Sequence, residues 1–234
     1  LYRDLADPLG VLRHRSKTGL RDYWSYVPGS SSPAEGHREY SQLMSSSLAL
    51  IGDHILNSYP LDSYGSLVDV AGGTGNFARA VKKRYPHLSA TVLDLPEVVT
   101  EAKDQGLNSP IRFVATDMFR SSLPSDTELF SLVRVLHDHD DEPVGRLLAR
   151  LHSALRPGGH LLIAEPMAGT AGAEPIGDTY FGFYLWAMGS GRPRTAEELR
   201  AMCLAAGFTG VREFKTPIPA LTRLLVAEKA VNSE

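Results

Sequence analysis

Residues 66–78 read SLVDVAGGTGNFA, an apolar run followed by glycines and then by residues at helical spacing. Gly72, Gly73 and Gly75 let the backbone turn sharply and approach a ligand with no Cβ in the way. Phe77, Ala78, Val81 and Tyr85 then recur at helical intervals until Pro86 stops the run. A strand that passes through a glycine turn into a helix must bury one face of that helix on a sheet, so this unit predicts an α/β fold. The alternation continues through TVLDL (91–95), a helix from Pro96, IRFVATD (111–117) and LFSLVRVLH (129–137). An amphipathic helix through Val144, Leu147, Leu148, Leu151 and Leu155 follows, closed by a turn at 156–159, and then HLLIAEP (160–166). The near-continuous apolar character of 129–137 suits a central parallel strand running as far as His137. Right-handed crossovers then place helices on both faces.

The rhythm changes near the end. Thr195 with Glu198 three residues on predicts a capped helix. Strands at 211–216 and 222–229 follow, separated only by the proline-rich 217–221. A link that short cannot make a parallel crossover, so the two form an antiparallel hairpin. Residues 33–57 read as one helix through Tyr40, Leu43, Met44, Leu48, Ile51 and Ile55. The expected organisation is a helical lead-in over 1–60 and a ligand-binding catalytic domain over 61–234.

Composition narrows the class. Hydrophobic residues at 43% and charged residues at 22% fit a globular chain. A net charge of −3 with mixed signs offers no stripe for phosphate backbones, so nucleic acid is excluded as a partner. One cysteine, Cys203, cannot form an internal disulfide, which fits a reducing, cytoplasmic setting. No Cys/His cluster has zinc spacing, so no metal is expected. The chain starts at Leu1 without methionine. We expect a piece of a longer protein whose preceding helical domain makes a homodimer, because the apolar positions of 1–26 would pack poorly in water.

The glycine loop alone fits two cofactor classes. Gly73-x-Gly75-x-x-Ala78 satisfies the dinucleotide fingerprint, and Asp94 lies at the distance expected for a ribose partner. Three features favour S-adenosylmethionine. Asp69, just before the loop, suits a cationic amino-acid end better than a pyrophosphate. Asp117 and Met118 close the third strand, where a carboxylate can accept from an adenine amine and a thioether can pack on its ring. The terminal hairpin is foreign to nicotinamide-binding domains.

DVAGGTG, VLDLPEVV, TDMF, LHDHDDE, HLLIAEP and GRPRTAEELRAMCLAAGF stand in an order that resembles the class I S-adenosylmethionine-dependent O-methyltransferases of plant natural products and bacterial polyketides. Residues 164–195 are most similar to the bacterial carotenoid O-methyltransferases of the hydroxyneurosporene and demethylspheroidene type. The resemblance implies a Rossmann-like methyltransferase sheet, mostly parallel with a C-terminal antiparallel hairpin. It implies cofactor contacts from Asp69, Gly72, Gly73, Gly75, Asp94, Leu95, Asp117 and Met118. It also implies that His137 is the general base and that Glu165 orients it. A second family glutamate falls on Pro193, so this chain lacks it.

Histidine suits the proton-accepting role because its reference pKa of about 6.5 leaves it largely neutral near pH 7. A neutral hydroxyl is a poor nucleophile, and a positioned base adds roughly 10²–10⁴-fold. The segment 180–188 is apolar nearly all round, which predicts burial on both sides. Met44, Phe181, Tyr184 and Met188 are expected to line the acceptor pocket. The expected acceptor is a hydrophobic small molecule, with a hydroxycarotenoid leading and a phenolic or polyketide product as the alternative. A lipophilic acceptor would also bring weak membrane association. From another class, a non-catalytic cofactor-binding relative remains a rival reading, and a dehydrogenase is the third. His139 and His152 read as surface or helix-face residues, and Asp138, Asp140 and Asp141 as solvated loop carboxylates. Arg192 and Arg194 are expected to meet carbonyls or carboxylates nearby.

Overall fold

The computed structural model describes residues 3–13, 18–23, 50–104 and 110–231. Two short helices, α1 (Pro8–Arg13) and α2 (Gly19–Tyr23), come first. A helix over 50–58, α3, precedes the sheet. The helix expected over 33–57 is therefore described only from residue 50, and Met44 lies outside the described residues.

The alternating unit follows as β1 (Ser66–Val70), α4 (Asn76–Arg84), β2 (Ser89–Asp94), α5 (Pro96–Asp104), β3 (Arg112–Ala115), β4 (Thr127–Val133), α6 (Asp141–Ala154) and β5 (Leu155–Glu165). The chain closes with α7 (Phe181–Met188), α8 (Ala196–Ala205), β6 (Gly210–Phe214) and β7 (Arg223–Glu228). Seven strands form one sheet in the order β3-β2-β1-β4-β5-β7-β6. β1 to β5 are parallel, whereas β7 runs antiparallel to both β5 and β6. The hairpin is thus present, and it folds back so that its second strand lies against β5.

Period-two burial divides the core. Val68, Val70, Phe130, Leu132, Leu161 and Ile163 point to one face, where Leu147, Leu148 and Leu151 of α6 and Leu199 and Cys203 of α8 cover them. Leu67, Ala90, Val92, Leu129, Leu162 and Leu224 point to the other, under Ile51 and Ile55 of α3 and Phe77 and Val81 of α4. Residues 50–58 therefore share a core with β1 and β2.

Two boundaries differ from the sequence reading. β4 stops at Val133 and does not reach His137, because Arg134 takes a left-handed φ of 58° and turns the chain away. The apolar run continued through Val135 and Leu136 because both are buried in the same core, not because the strand goes on. The turn expected at 156–159 lies inside β5. The register slips between Thr127 and Leu129, which pair with Leu155 and His160 respectively, leaving residues 156–159 as a bulge.

α8 begins as its sequence predicts. The Glu198 N–H donates to Thr195 Oγ1 at 3.1 Å, and the Thr195 N–H donates to Glu198 Oε2 at 2.8 Å. Removing the hydroxyl leaves an amide without its cap. Thr195→Ala should destabilise the fold by about 1 kcal/mol. Urea denaturation checks this, and an unchanged midpoint would show that the box contributes nothing.

Candidate active site

Asp69, Asp94 and Glu165 lie in the carboxyl-terminal parts of β1, β2 and β5, and Asp117 and His137 lie in the segments that follow β3 and β4. Strand order reverses between β1 and β4, which opens a crevice at that point. The three aspartates stand on the β1-β2-β3 side and the histidine–glutamate pair on the β4-β5 side.

Ala71, Gly73 and Gly75 adopt positive φ of 53°, 59° and 82°, so the loop after β1 winds back on itself before α4 begins. Asp94 holds this winding in place. Its Oδ2 accepts from the Gly73 N–H at 2.7 Å and its Oδ1 from the Leu95 N–H at 2.8 Å. At Gly72 an added Cβ would lie 2.5 Å from Asp69 Oδ2, so only glycine leaves the Asp69 carboxylate open to a ligand.

Sheet register explains how Asp69 is held. Asp69 pairs with Ser131 across β1 and β4, and the Ser131 hydroxyl donates to Asp69 Oδ1 at 2.6 Å. The other oxygen, Oδ2, is buried without a partner among the described residues. Burial pushes the Asp69 carboxyl up to about 7; the Ser131 bond opposes this and the Asp94 charge adds to it. Burial likewise moves Asp94 up to about 6, against the two backbone donors that favour its charge. An orphaned carboxylate oxygen beside a glycine cradle is suited to receive a ligand's ammonium group.

Asp117 accepts from the Phe119 N–H at 2.8 Å and so shapes its own turn, with Met118 packed on the main core. Arg150 of α6 donates to the carbonyls of Phe119, at 2.7 Å, and Ser121, pinning this loop to the helix behind it.

His137 lies in a single 3₁₀ turn, Leu136–Asp138, and not at the end of a strand. Its Nδ1 meets Glu165 Oε2 in a short contact, and its Nε2 lies 3.3 Å from Asp138 Oδ1. Glu165 Oε1 accepts from the N–H groups of Val135 and Leu136 at 2.9 and 2.7 Å. Burial alone would lower the His137 pKa, but the charges of Glu165 and Asp138 outweigh it and Arg134 opposes them, leaving a net rise. Burial alone would raise Glu165, yet the imidazolium and the two backbone donors hold it below the usual carboxylate range. Both directions describe one buried ion pair. With Nδ1–H committed to Glu165, proton exchange with a substrate falls to Nε2.

Beside the imidazole stands Phe181, the first residue of α7. The Phe181 ring centroid is 6.1 Å from that of His137 and 6.3 Å from that of Tyr184. Arg134 covers the Phe181 ring at 5.6 Å. Met188 is fully buried with Leu185, and Leu20 and Tyr184 pack on them. The expected burial of 180–188 on both sides does not hold. Tyr180 is 50% exposed and Trp186 37%.

Several members of the site escaped the sequence reading. Ser131 is the only polar residue of FSLV, and that break in an apolar run was its signal. Asp138, read as solvated, faces Nε2, and Asp141 is gripped by Arg192 and Arg194. His139 packs edge-on against Phe119 at 4.9 Å. Arg134 gave no signal, because a positive φ at arginine cannot be read from its neighbours.

Residues 2–209 match the family model described as O-methyltransferase domain. The chain is 42% identical over 232 residues to the demethylspheroidene O-methyltransferase of Rhodobacter capsulatus, covering 98% of this chain and 58% of that protein. It is 40% identical over 221 residues to the enzyme of that name from Cereibacter sphaeroides, covering 92% of this chain and again 58% of the relative. Among solved structures, human N-acetylserotonin methyltransferase in complex with SAM superposes with a TM-score of 0.84 at 25% identity. That match covers 98% of this chain and 67% of the human one. The chain therefore spans 58% of the length of its curated bacterial relatives.

The buried Asp69 carries a prediction that needs no relative. Its carboxyl titrates at about 7 when folded, against 3.8 for the free side chain. The folded state thus loses stability as pH rises from about 4, and the loss is complete above about 7. Asp69→Asn removes that loss, so the variant should be more stable than wild type at pH 8 by on the order of 4 kcal/mol. The gap should close toward pH 5 in thermal melts. A gap that does not vary with pH would overturn this account of Asp69.

Proposed function

The chain belongs to the O-methyltransferase domain family, and on that premise we propose that it transfers the methyl group of S-adenosylmethionine to a hydroxyl of a hydrophobic small molecule. One arrangement carries the reading. An orphaned carboxylate in a glycine cradle stands on one side of the crevice, and a carboxylate-held imidazole stands on the other. The residues fit the cofactor. In this reading Asp69 Oδ2 takes the ammonium end against Gly72, Gly73 and Gly75. Asp94 keeps lone pairs for ribose hydroxyls, with Leu95 beside it, and Asp117 and Met118 face the adenine. When bound, S-adenosylmethionine supplies a methyl group already activated on a sulfonium.

The protein's own tasks are then alignment and proton removal. Alignment can lower the barrier by roughly 7–11 kcal/mol. His137 Nε2 accepts the hydroxyl proton of the acceptor, Glu165 fixes the tautomer through Nδ1, and both Glu165 and Asp138 stabilise the imidazolium that forms. Phe181 and Tyr184 wall the acceptor, with Met188 behind them and Met44 assigned to the same pocket. Apolar burial there holds a ligand at about 25 cal/mol per Å². We assign a hydroxycarotenoid as the leading acceptor, because the relatives at 40–42% identity carry the name demethylspheroidene O-methyltransferase. A phenol is the second reading, favoured by the likeness to human N-acetylserotonin methyltransferase. The same proposal makes the protein a cytoplasmic homodimer that touches membranes weakly through its acceptor. No helix among the described residues is long and apolar enough to cross one.

His137→Gln should leave S-adenosylhomocysteine affinity nearly unchanged and cut turnover by about 10²-fold or more. Because the imidazole must be neutral to accept a proton and its pKa is raised, the acid limb of the wild-type rate profile should lie above pH 6.5. Glu165→Gln removes the main raising charge and should move that limb downward. Wild-type turnover in His137→Gln, with methyl transfer rate-limiting, would remove His137 as the base.

The acceptor is tested by incubating the protein with labelled cofactor and either a hydroxycarotenoid or a simple catechol. The carotenoid should show the higher kcat/KM. A better catechol would transfer the assignment to the phenolic branch.

A further inference from the structure

Residues 190–194 play no part in the chemistry above, yet they lie directly against the turn that carries His137. A Cβ at Gly191 would collide with the His137 carbonyl oxygen and lie 2.6 Å from the Asp138 carbonyl carbon, so backbone meets backbone there. The Ser190 hydroxyl donates to the Asp138 carbonyl at 2.8 Å, and the Gly191 N–H donates to Asp140 Oδ1 at 2.9 Å. Arg194 is 3% exposed. Its Nη1 donates to the Leu136 carbonyl at 2.8 Å and its Nη2 to the His139 carbonyl at 2.7 Å, one on each side of His137. Nε and Nη2 also donate to Asp141 Oδ1 at 2.9 and 2.7 Å.

The turn needs such a grip. Its own closing bonds, Asp138 N–H to Val135 and His139 N–H to Leu136, are long at 3.3 and 3.2 Å. Glu165 already holds the N–H groups on one side of it. The gap beneath, lined by Leu136, His137, Glu165, Pro166, Arg194 and Leu199, is too small for a water molecule, so no solvent replaces a lost partner. Arg194 is itself anchored, because its carbonyl accepts from the Ala168 N–H at 2.9 Å and the next residue caps α8.

We propose that Arg194 is a positioning residue for the reaction: its guanidinium fixes the 136–141 turn by its carbonyls and so sets where His137 Nε2 meets the acceptor. The proposal rests on the function assigned to this site. Only a planar fork reaches two carbonyls and a carboxylate together, which a lysine ammonium on one stem cannot do.

The test is Arg194→Lys, read by calorimetry with S-adenosylhomocysteine, by steady-state rates and by NMR titration of the His137 imidazole. The groups that face that imidazole are Glu165 of β5, Asp138 and His139 of its own loop, Arg134 beyond β4 and Phe181 of α7. Loosening the turn should lower kcat about 10–100-fold with cofactor affinity held within about twofold. It should also move the His137 titration measurably downward, toward 6.5, as the contacts to Glu165 and Asp138 slacken. Asp141→Asn, at a side chain 57% exposed, should show the same changes in smaller degree, and it decides the matter where Arg194→Lys does not fold. Arg192→Ala, which touches Asp141 and Glu198 but neither turn carbonyl, should leave the titration unmoved. A folded Arg194→Lys, or in its place Asp141→Asn, with unchanged kcat and unchanged His137 titration overturns the proposal. A wild-type protein that binds cofactor but methylates no acceptor overturns the function instead, and the titration still judges Arg194.

Discussion

Glu165 is 2% exposed at the end of β5, and its two oxygens serve different parts of the same turn. One takes the N–H groups of Val135 and Leu136, and the other takes the imidazole of His137. A carboxylate buried that deeply would be expelled or neutralised without such partners. Its presence in turn explains why the chain can leave β4 early, because the two amides that lose their ladder partners find the carboxylate. Arg194 supplies the opposite charge to the opposite groups, the carbonyls of the same turn. The turn that carries His137 is short because it is gripped by an anion through its donors and by a cation through its acceptors.

The sheet does the same for the other half of the crevice. Alternation puts Asp69 on the face opposite Val68 and Val70, and the β1–β4 register brings Ser131 beside it. No loop is needed to hold this carboxylate, since both residues belong to central strands. The reactive halves of the site are therefore joined through β4, which carries Ser131 toward one of them and the His137 turn toward the other. A shift of one residue in that strand would separate both.

Much of this was legible from the chain itself. Spacing gave the glycine loop and the helix after it, link length gave the antiparallel hairpin, and Thr195 with Glu198 announced the start of α8. The family's motifs named His137, Glu165, Asp69 and Asp94. What could not be read was decided by three-dimensional partners. LFSLVRVL is apolar apart from Ser131 and Arg134, and burial of Val135 and Leu136 in a turn looks the same in sequence as burial in a strand. Arg192 and Arg194 are two residues apart and alike in type, yet the second is buried and the first is not. The exposure of Tyr180 and Trp186 likewise depends on tertiary neighbours, which apolar content does not state.

The Asp69 oxygen that has no partner among the described residues also bears on how long the protein survives. A site that keeps a buried anion waiting for a cation is less stable empty than filled, and a ligand that completes it adds stability by RT ln(1 + [L]/Kd). At a hundredfold excess over Kd this is about 2.7 kcal/mol, enough to lower the transiently unfolded population roughly a hundredfold. Proteases act on that population when reclosing is fast. If a ligand's cation completes that oxygen, the lifetime of the polypeptide follows the supply of the ligand, with no regulatory domain required.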